Sequence, residues 1–278
     1  MALQQLDPTS ARSSRETILV YGPAGAGKTR FATALTPRFG KIAYIALDEG
    51  SEGLKSVLPK YRDRIAVFRP EGKNPLVDLS EIVSVDWKSK GFDTVLLDTL
   101  TNAAWKILQT VTNNGMFQAN HVSVGTPGTP SFVALPDQGD YHATHGILRA
   151  HIQQLVGQQT CHIIVVCHEE LLKDKAGTVL VGGPATVGQA IVSWLPARFD
   201  TVIRLDRKFV TAIDPTTKAP VQKPKHLAWM SQHGYWIARR NEDSEKGNPL
   251  PSLELDIDPI NFWKRYDETA PNKQEETK

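Results

Sequence analysis

An eight-residue segment near the start of the chain constrains the fold more than any other feature. Residues 22–29 read Gly-Pro-Ala-Gly-Ala-Gly-Lys-Thr, which fits the phosphate-binding pattern G-x-x-x-x-G-K-[ST]. A short apolar run that favours a β-strand precedes it at 17–21, and a helix-favouring run follows it at 30–35. This order predicts an α/β fold, with a mostly parallel, twisted sheet and helices on both faces.

The residue types in this segment suit the binding of a nucleoside triphosphate. Its glycines can adopt backbone angles closed to other residues and let phosphate oxygens approach the main chain. Lys28 supplies a charge for the β- and γ-phosphates, and the Thr29 hydroxyl is placed to bind Mg²⁺. A glycine-rich turn ahead of a helix is the alternative, but a plain turn does not require the Lys-Thr pair. We therefore expect ATP to be bound by the loop and the next residue: Gly22, Pro23, Ala24, Gly25, Ala26, Gly27, Lys28, Thr29 and Arg30.

A second signature lies roughly 70 residues further on. An apolar run at 92–97 leads to Asp98, and a carboxylate at the end of a buried strand is the usual second Mg²⁺ contact of phosphate-loop enzymes. We expect the strand that ends in Asp98 to lie beside the first strand, so that Asp98 binds Mg²⁺ through water or together with Thr29. The alternative is that Asp98 only caps the helix predicted at 101–112.

The composition limits the classes of protein to which the chain can belong. The chain has 278 residues, 40% of them hydrophobic, and a net charge of +2. Since no apolar run approaches 18 residues, we expect no transmembrane span, and residues 1–7 lack the features of a signal peptide. Cys161 and Cys167 lie in one predicted strand, roughly 20 Å apart, which is too far to bridge. Reduced thiols predict a cytoplasmic protein.

The charges are unevenly distributed along the chain. Residues 196–241 carry nine Lys or Arg against three Asp, whereas residues 242–278 carry ten Asp or Glu against five Lys or Arg. This asymmetry is typical of a chain that meets a polyanion, although an ordinary solvated surface would also explain it. We expect a flexible lead at 1–14, one domain at 15–255 and an acidic, disordered tail at 256–278.

The later part of the chain supplies further candidate site residues. A strand at 160–167 runs into His168 and Glu169, which would then lie near the γ-phosphate. Glu169 would contact the substrate loop or a neighbouring subunit; the alternative for both residues is a polar cluster that faces water. Runs at 226–230 and 235–239 flank a glycine and predict a late hairpin, after a loose basic connector that contains three prolines, while 113–136 reads as a long loop.

These features together resemble P-loop ATPases of the RecA kind. More narrowly, the chain resembles the phage-encoded "AAA domain" nucleotide-binding proteins, core-only RecA relatives that include ATP-dependent single-strand annealing proteins. The matching pieces lie within about residues 16–255 and are 22–29, 47–50, 94–99, 165–169, 195–200 and 235–241.

The resemblance implies roles for residues outside the phosphate loop. Glu49 matches the acidic residue that polarises the attacking water, with the adjacent Asp48 as the alternative. His168 takes the place of the γ-phosphate sensor. Arg239 and Arg240 match a basic pair that supplies an arginine finger to a neighbouring subunit; phosphate-backbone binding or plain surface charge is the alternative. These residues join Lys28 and Asp98 as the predicted catalytic set. The loops at 113–136 and 171–185 occupy the places where RecA-like proteins meet DNA.

The expected function is Mg²⁺-dependent ATP binding and hydrolysis, coupled to the loading or annealing of single-stranded DNA in phage recombination. The expected partners are single-stranded DNA, further copies of the chain in a ring or filament, and a phage or host single-strand-binding protein in the host cytoplasm. Two alternatives stay open: a nucleotide-gated binding module with little turnover, and a small-molecule phosphotransferase.

Overall fold

The computed structural model describes residues 15–48, 52–70, 74–113, 120–124, 131–158, 160–230, 232, 234–240 and 253–255. The predicted lead at 1–14 and tail at 256–278 lie outside these residues. No helix within the described residues is both long enough and apolar enough to span a membrane.

Twelve strands form in the described part of the chain. They are β1 (Thr17–Gly22), β2 (Ile42–Ala46), β3 (Ile65–Phe68), β4 (Thr94–Asp98), β5 (Asn120–Val124), β6 (Ser131–Leu135), β7 (His162–Lys173), β8 (Val179–Pro184), β9 (Thr201–Ile213), β10 (Pro220–Trp229), β11 (Arg239–Arg240) and β12 (Leu253–Leu255).

The helices are mostly short, with two long exceptions. They are α1 (Lys28–Thr33), α2 (Thr36–Phe39), α3 (Glu52–Lys55), α4 (Pro75–Ser84), α5 (Leu100–Asn113), α6 (Gln138–Gln158) and α7 (Gln189–Trp194), with 3₁₀ turns at Pro59–Arg64 and Pro196–Arg198.

Ten of the strands form one sheet with a parallel centre. The main order is β12-β10-β9-β1-β7-β4-β2-β3, and all neighbours from β9 to β3 are parallel. The strand β7 lies between β1 and β4, so the prediction that the strand of Asp98 is next to the first strand is wrong. The helix α1 packs against β7, and its first turn thereby reaches the end of β4.

Alternating side chains of the central strands enter two separate apolar cores, one on each face of the sheet. Leu19 and Tyr21 of β1 pack in the core that α4, α5, α6 and α7 cover. Ile18 and Val20 point to the other face, where α1, α2 and part of β10 cover them. Since every one of these side chains is fully buried, the sheet is covered by helices on both faces, and the predicted α/β class is confirmed.

Strands from the later part of the chain extend the sheet through antiparallel pairs. A late antiparallel hairpin is present as β7–β8, and β9 pairs with β10 along ten residue pairs. The expected pairing of 226–230 with 235–239 is wrong, because β11 pairs with β9 instead. The presumed connector before residue 226 is largely strand, and the loop at 113–136 contains the antiparallel pair β5–β6.

Candidate nucleotide-binding site

The phosphate loop leaves β1 in a conformation that requires glycine at two positions. Gly25 has φ +74°, in the left-handed region, where a side chain is strained. A Cβ on Gly22 would collide with the carbonyl oxygen of Leu205 on β9. The loop is therefore pressed against β9 at its start and turns sharply near its middle, where Ala24 and Gly25 are exposed.

Lys28 is held beneath this loop. Its side chain is 7% exposed, and its Nζ donates to the carbonyl oxygens of Gly22 and Pro23, both at 2.9 Å. Burial lowers the pKa of Lys28, while the nearby Asp98 carboxylate opposes that shift. An ammonium group placed in this way supplies a charge at the loop before a phosphate arrives.

Thr29 and Asp98 are in direct contact although 69 residues separate them in the sequence. The Thr29 hydroxyl donates to Asp98 Oδ2 at 2.6 Å, and the Tyr44 hydroxyl donates to the same oxygen at 2.8 Å. Asp98 is 2% exposed. Burial raises the pKa of this carboxyl, although both hydrogen bonds act in the opposite direction.

This pair fits a magnesium ion better than a transition metal. Mg²⁺ is usually bound through one or two protein oxygens, with water and substrate phosphates completing its shell. A hydroxyl and a carboxylate that touch at the end of a phosphate loop provide these oxygens. The described residues contain no group of three His, Cys, Asp or Glu side chains placed to hold a metal. Thr29 and Asp98 would thus hold Mg²⁺ only together with the phosphates.

We expect Asp98→Asn to weaken magnesium binding but to stabilise the nucleotide-free protein at neutral pH. Both hydrogen bonds reach one oxygen of Asp98, which the asparagine amide oxygen can replace, whereas the charge that attracts Mg²⁺ is lost. We expect about a 10- to 100-fold weaker Mg²⁺ affinity in the presence of nucleotide, measured by titrating Mg²⁺ against phosphate release.

The stability half of this prediction follows from the raised pKa of Asp98. Between the ordinary pKa of an aspartate and the raised pKa, the unfolded chain ionises while the folded protein keeps its proton, so stability falls as the pH rises through this window and stays at the lower level above it. Thermal melts should favour Asp98→Asn near pH 7 and show no difference at a pH where the carboxyl is protonated in both states. A variant that melts lower than the wild type at pH 7 would contradict this reading.

Asp48 lies at the C-terminal end of β2 and is fixed by three donors. Its Oδ1 accepts from the Thr99 amide at 3.1 Å, the Thr99 hydroxyl at 3.0 Å and Asn102 Nδ2 at 2.6 Å. These bonds tie the end of β2 to the start of α5. Glu49, the first candidate for activating water, lies outside the described residues, so the choice between these two carboxylates stays a prediction.

His168 lies level with the start of the phosphate loop. The register of β7 on β1 sets His168 opposite Gly22, and its amide donates to the Thr101 hydroxyl at 3.0 Å. Burial and the neighbouring Lys28 charge both lower the pKa of His168. The imidazole is thus biased toward its neutral form near the phosphate loop.

An ion-pair cluster beside the loop was not expected from the sequence. Arg204 on β9 is 6% exposed and reaches Glu169 at 3.0 Å and Asp206 at 3.2 Å. Its guanidinium also stacks on the Trp236 ring, 3.9 Å from the centroid. Glu169 is therefore paired within its own chain; an expected contact with a substrate loop or a neighbouring subunit would have to compete with this pair.

The structure does not bring Arg239 to the phosphate loop of its own chain. Arg239 is paired with Val202 near the start of β9, three residues before Leu205, which lies against Gly22. Its Nη2 donates to the carbonyl oxygen of Phe199 at 2.6 Å. The backbone of Arg240 continues the same ladder opposite Thr201. A role as an arginine finger would thus require Arg239 to act across a subunit boundary.

Two other side chains touch the phosphate loop instead. Arg207 Nη1 lies 3.1 Å from the position that a Cβ on Gly25 would occupy, and His226 Nδ1 lies 3.0 Å from the carbonyl oxygen of Ala26. The only sequence signal for them was the excess of Lys and Arg at 196–241, which does not single out either residue.

One family model matches most of the chain. The model of the AAA_24 family, described as an AAA domain, matches residues 14–240. No curated protein matches the sequence. An ATPase from the type III secretion system of pathogenic bacteria is similar in structure, with 12% identity, a TM-score of 0.41, and coverage of 69% of this chain and 52% of that one.

A second solved structure is the ATPase EscN from the type III secretion system of enteropathogenic E. coli, in complex with its central stalk EscO. It shares 12% identity and a TM-score of 0.42, with 69% of this chain and 42% of that chain covered. The chain thus spans about half the length of these two proteins or less. The family match covers most of the sequence and includes the loop, the buried lysine and the Asp98 carboxylate. The chain belongs to the AAA_24 family of AAA-domain P-loop nucleotide-binding proteins.

Proposed function

We propose that this chain is a Mg²⁺-dependent ATPase that acts on single-stranded DNA in phage recombination or annealing. The contact between Thr29 and Asp98 at 2.6 Å, beside the buried ammonium of Lys28, carries the ATPase part of this proposal. These groups stand where a polyphosphate on the loop amides and its magnesium ion would meet.

The residues of the chain have separate roles in the proposed reaction. The loop amides and Lys28 bind the phosphates, while Thr29 and Asp98 hold Mg²⁺, which stabilises the charge that develops on the transferred phosphoryl group. Glu49 accepts a proton from the attacking water, with Asp48 as the alternative. His168 contacts the γ-phosphate from the middle of β7.

A second copy of the chain is part of the proposal. Because Arg239 is bonded to Phe199, just before the start of β9 and away from the phosphate loop, it reaches a phosphate loop only if a neighbouring subunit presents it. A ring or filament of identical subunits has this property, since each head-to-tail contact sets one surface against a different one.

The DNA part of the proposal rests on charge and on resemblance. Nine Lys or Arg against three Asp give residues 196–241 a positive excess, and the following acidic segment offers a means to regulate contact with a polyanion. A single-strand-binding protein is the partner that this function would require.

Phosphate release with and without single-stranded DNA tests the proposal. We expect stimulation of about 5- to 150-fold, the usual range of coupling between two sites, at about 50 mM salt, because phosphate contacts weaken steeply at higher salt. Double-stranded DNA of equal nucleotide concentration is the control. The DNA part fails if release is not stimulated and no DNA complex forms at low salt.

One observation favours the phosphotransferase alternative. A cavity of about 470 Å³ adjoins Asp48, and Arg69 and Lys106 are among its lining residues. Such a space would accept a small anionic acceptor next to the reacting phosphate. ATP consumption that requires an added small acceptor, and produces its phosphate ester instead of free phosphate, would favour this alternative.

A further inference from the structure

The hairpin formed by β9 and β10 extends well beyond the core. Residues 201–205 of β9 are buried, whereas most side chains from Arg207 to Ile213 are exposed. On β10, only Leu227 and Ala228 are buried. Seven residue pairs, from Arg207–His226 to Ile213–Pro220, lie in this outer part, which makes the arm roughly 20 Å long.

The outer hairpin carries a positive charge that its own carboxylates do not neutralise. Residues 206–226 contain five Lys or Arg and two Asp. Asp206 is paired with Arg204 in the core. Asp214 accepts from the amides of Thr216 and Thr217 at 2.8 Å, and these bonds lower its pKa. Both carboxylates therefore have other partners, and the cations of the arm are in excess.

Three lysines lie on one face of the hairpin. Lys208 is directly opposite Lys225, and Val210 is directly opposite Lys223, so these side chains share one face, here termed the lysine face. Three ammonium groups along one face can contact successive phosphates of a polyanion that lies along the hairpin.

The base of the hairpin touches the phosphate loop from its other face. Arg207 and His226 are directly opposite one another in the ladder. Arg207 lies over Gly25, and His226 contacts the Ala26 carbonyl. Since both contacts are with the loop that would hold the polyphosphate, a bound nucleotide would meet the Arg207 guanidinium within the same chain.

An aromatic side chain favours nucleic acid over other polyanions. Trp229 lies on the lysine face and is partly exposed, and Lys208 Nζ is 5.8 Å from its ring centroid. Exposed aromatic rings next to cations are used to stack the bases of single strands. An acidic peptide would provide the charges for the lysine face but no bases for this ring.

We propose that the β9–β10 hairpin binds single-stranded nucleic acid through the phosphates on the lysine face, and that Arg207 and His226 link this binding to the nucleotide on the phosphate loop. This inference rests on the proposed function and assigns the DNA contact to this hairpin, whereas the resemblance to RecA-like proteins implied the segments 113–136 and 171–185.

Charge-matched variants of the full chain test the lysine face. One triple variant changes Lys208, Lys223 and Lys225 to Gln; the control changes Lys41, Lys60 and Lys90, which are exposed near β2, β3 and β4. The probe is a fluorescent oligothymidylate of roughly 30 nucleotides at about 50 mM salt. We expect the hairpin variant to bind at least about tenfold more weakly, with a salt slope reduced by about 2, and the control to stay within about twofold.

A second comparison tests the link to the nucleotide. The affinity of the wild type for the oligothymidylate should differ between the nucleotide-free protein and the protein saturated with Mg²⁺ and a non-hydrolysable ATP analogue. In Arg207→Gln, the ratio of these two affinities should approach 1. A wild-type ratio of 1, or an unchanged ratio in Arg207→Gln, would overturn the link.

The remaining outcomes separate this inference from the proposed function. If the hairpin variant melts like the wild type and binds the oligothymidylate as tightly as the control does, the lysine face is not the binding surface, although the proposed function stands. If the wild type neither binds the oligothymidylate nor hydrolyses ATP faster in its presence, the DNA function fails, and this inference fails with it.

Discussion

Replacing Lys28 by alanine is expected to lower kcat/KM for ATP hydrolysis by about 10²–10³-fold, the usual cost of removing one preorganised charge-stabilising donor. The ammonium is 7% exposed and held between the carbonyl oxygens of Gly22 and Pro23, so no solvent cation can take its place without reorganising the loop. The measurements are phosphate release under limiting ATP and the binding of a fluorescent ATP analogue.

The matched control is Lys41→Ala, since Lys41 is an exposed lysine just before β2. It should leave both readouts unchanged. Melting curves of both variants show whether the loss of the two carbonyl contacts destabilises the fold. A folded Lys28→Ala protein with nearly full binding and turnover would show that the loop does not hold a polyphosphate.

The second large effect concerns the carboxylate that activates water. We expect Glu49→Gln to reduce kcat by about 10²–10⁴-fold, the usual contribution of a general base, with little change in the dissociation constant for Mg²⁺-ATP. Single-turnover phosphate release, together with nucleotide binding measured separately, distinguishes the lost chemical step from lost binding.

Asp48→Asn is the matched control for this variant, because the two carboxylates are adjacent. Asp48 Oδ1 accepts three hydrogen bonds from Thr99 and Asn102, and losing the charge weakens each of them. We therefore expect a lower melting temperature and a smaller loss of rate. The reverse pattern would assign the general base to Asp48.

If the wild type itself binds Mg²⁺-ATP but turns it over negligibly, and Glu49→Gln behaves like the wild type, then the nucleotide-gated binding module is the better description. In that case the nucleotide acts by changing the affinity for a partner rather than by its hydrolysis.

The fold class was predictable because its signals are local. The loop motif, the strand before it and the helix after it lie within 20 residues, and the predicted class is confirmed. The order of strands was not predictable, because β4 and β7 are both buried on two faces and read as similar apolar runs. Nothing in such a run tells which neighbour it pairs with.

The long hairpin was missed because of its prolines. Pro220 and Pro224 suggested a connector, yet Pro220 is the first residue of β10 and Pro224 is opposite Phe209. In the described residues, β12 pairs only with positions 226–228 of β10, so Pro224 lies where β10 is at the edge of the sheet, where its missing N–H is tolerated.

Contacts between distant parts of the chain could likewise not be predicted from the sequence. Arg207 and His226 reach the loop from about 180 and 200 residues further on, and only the strand register brings them there. By contrast, the residue types of Lys28, Thr29 and Asp98 indicated that these side chains lie close together in one site, although their roles in catalysis stay predictions.

The insertion of β7 between β1 and β4 has a consequence for how this site can evolve. The distance between β1, which leads into the phosphate loop, and β4, which ends in Asp98, is two strand spacings, roughly 9–10 Å, and backbone hydrogen bonds set it. Side chains of β7 such as Val166 fill the core but do not determine that span. Substitutions in the core can therefore lower the thermal stability of the protein without changing the strand spacing on which the chemistry depends.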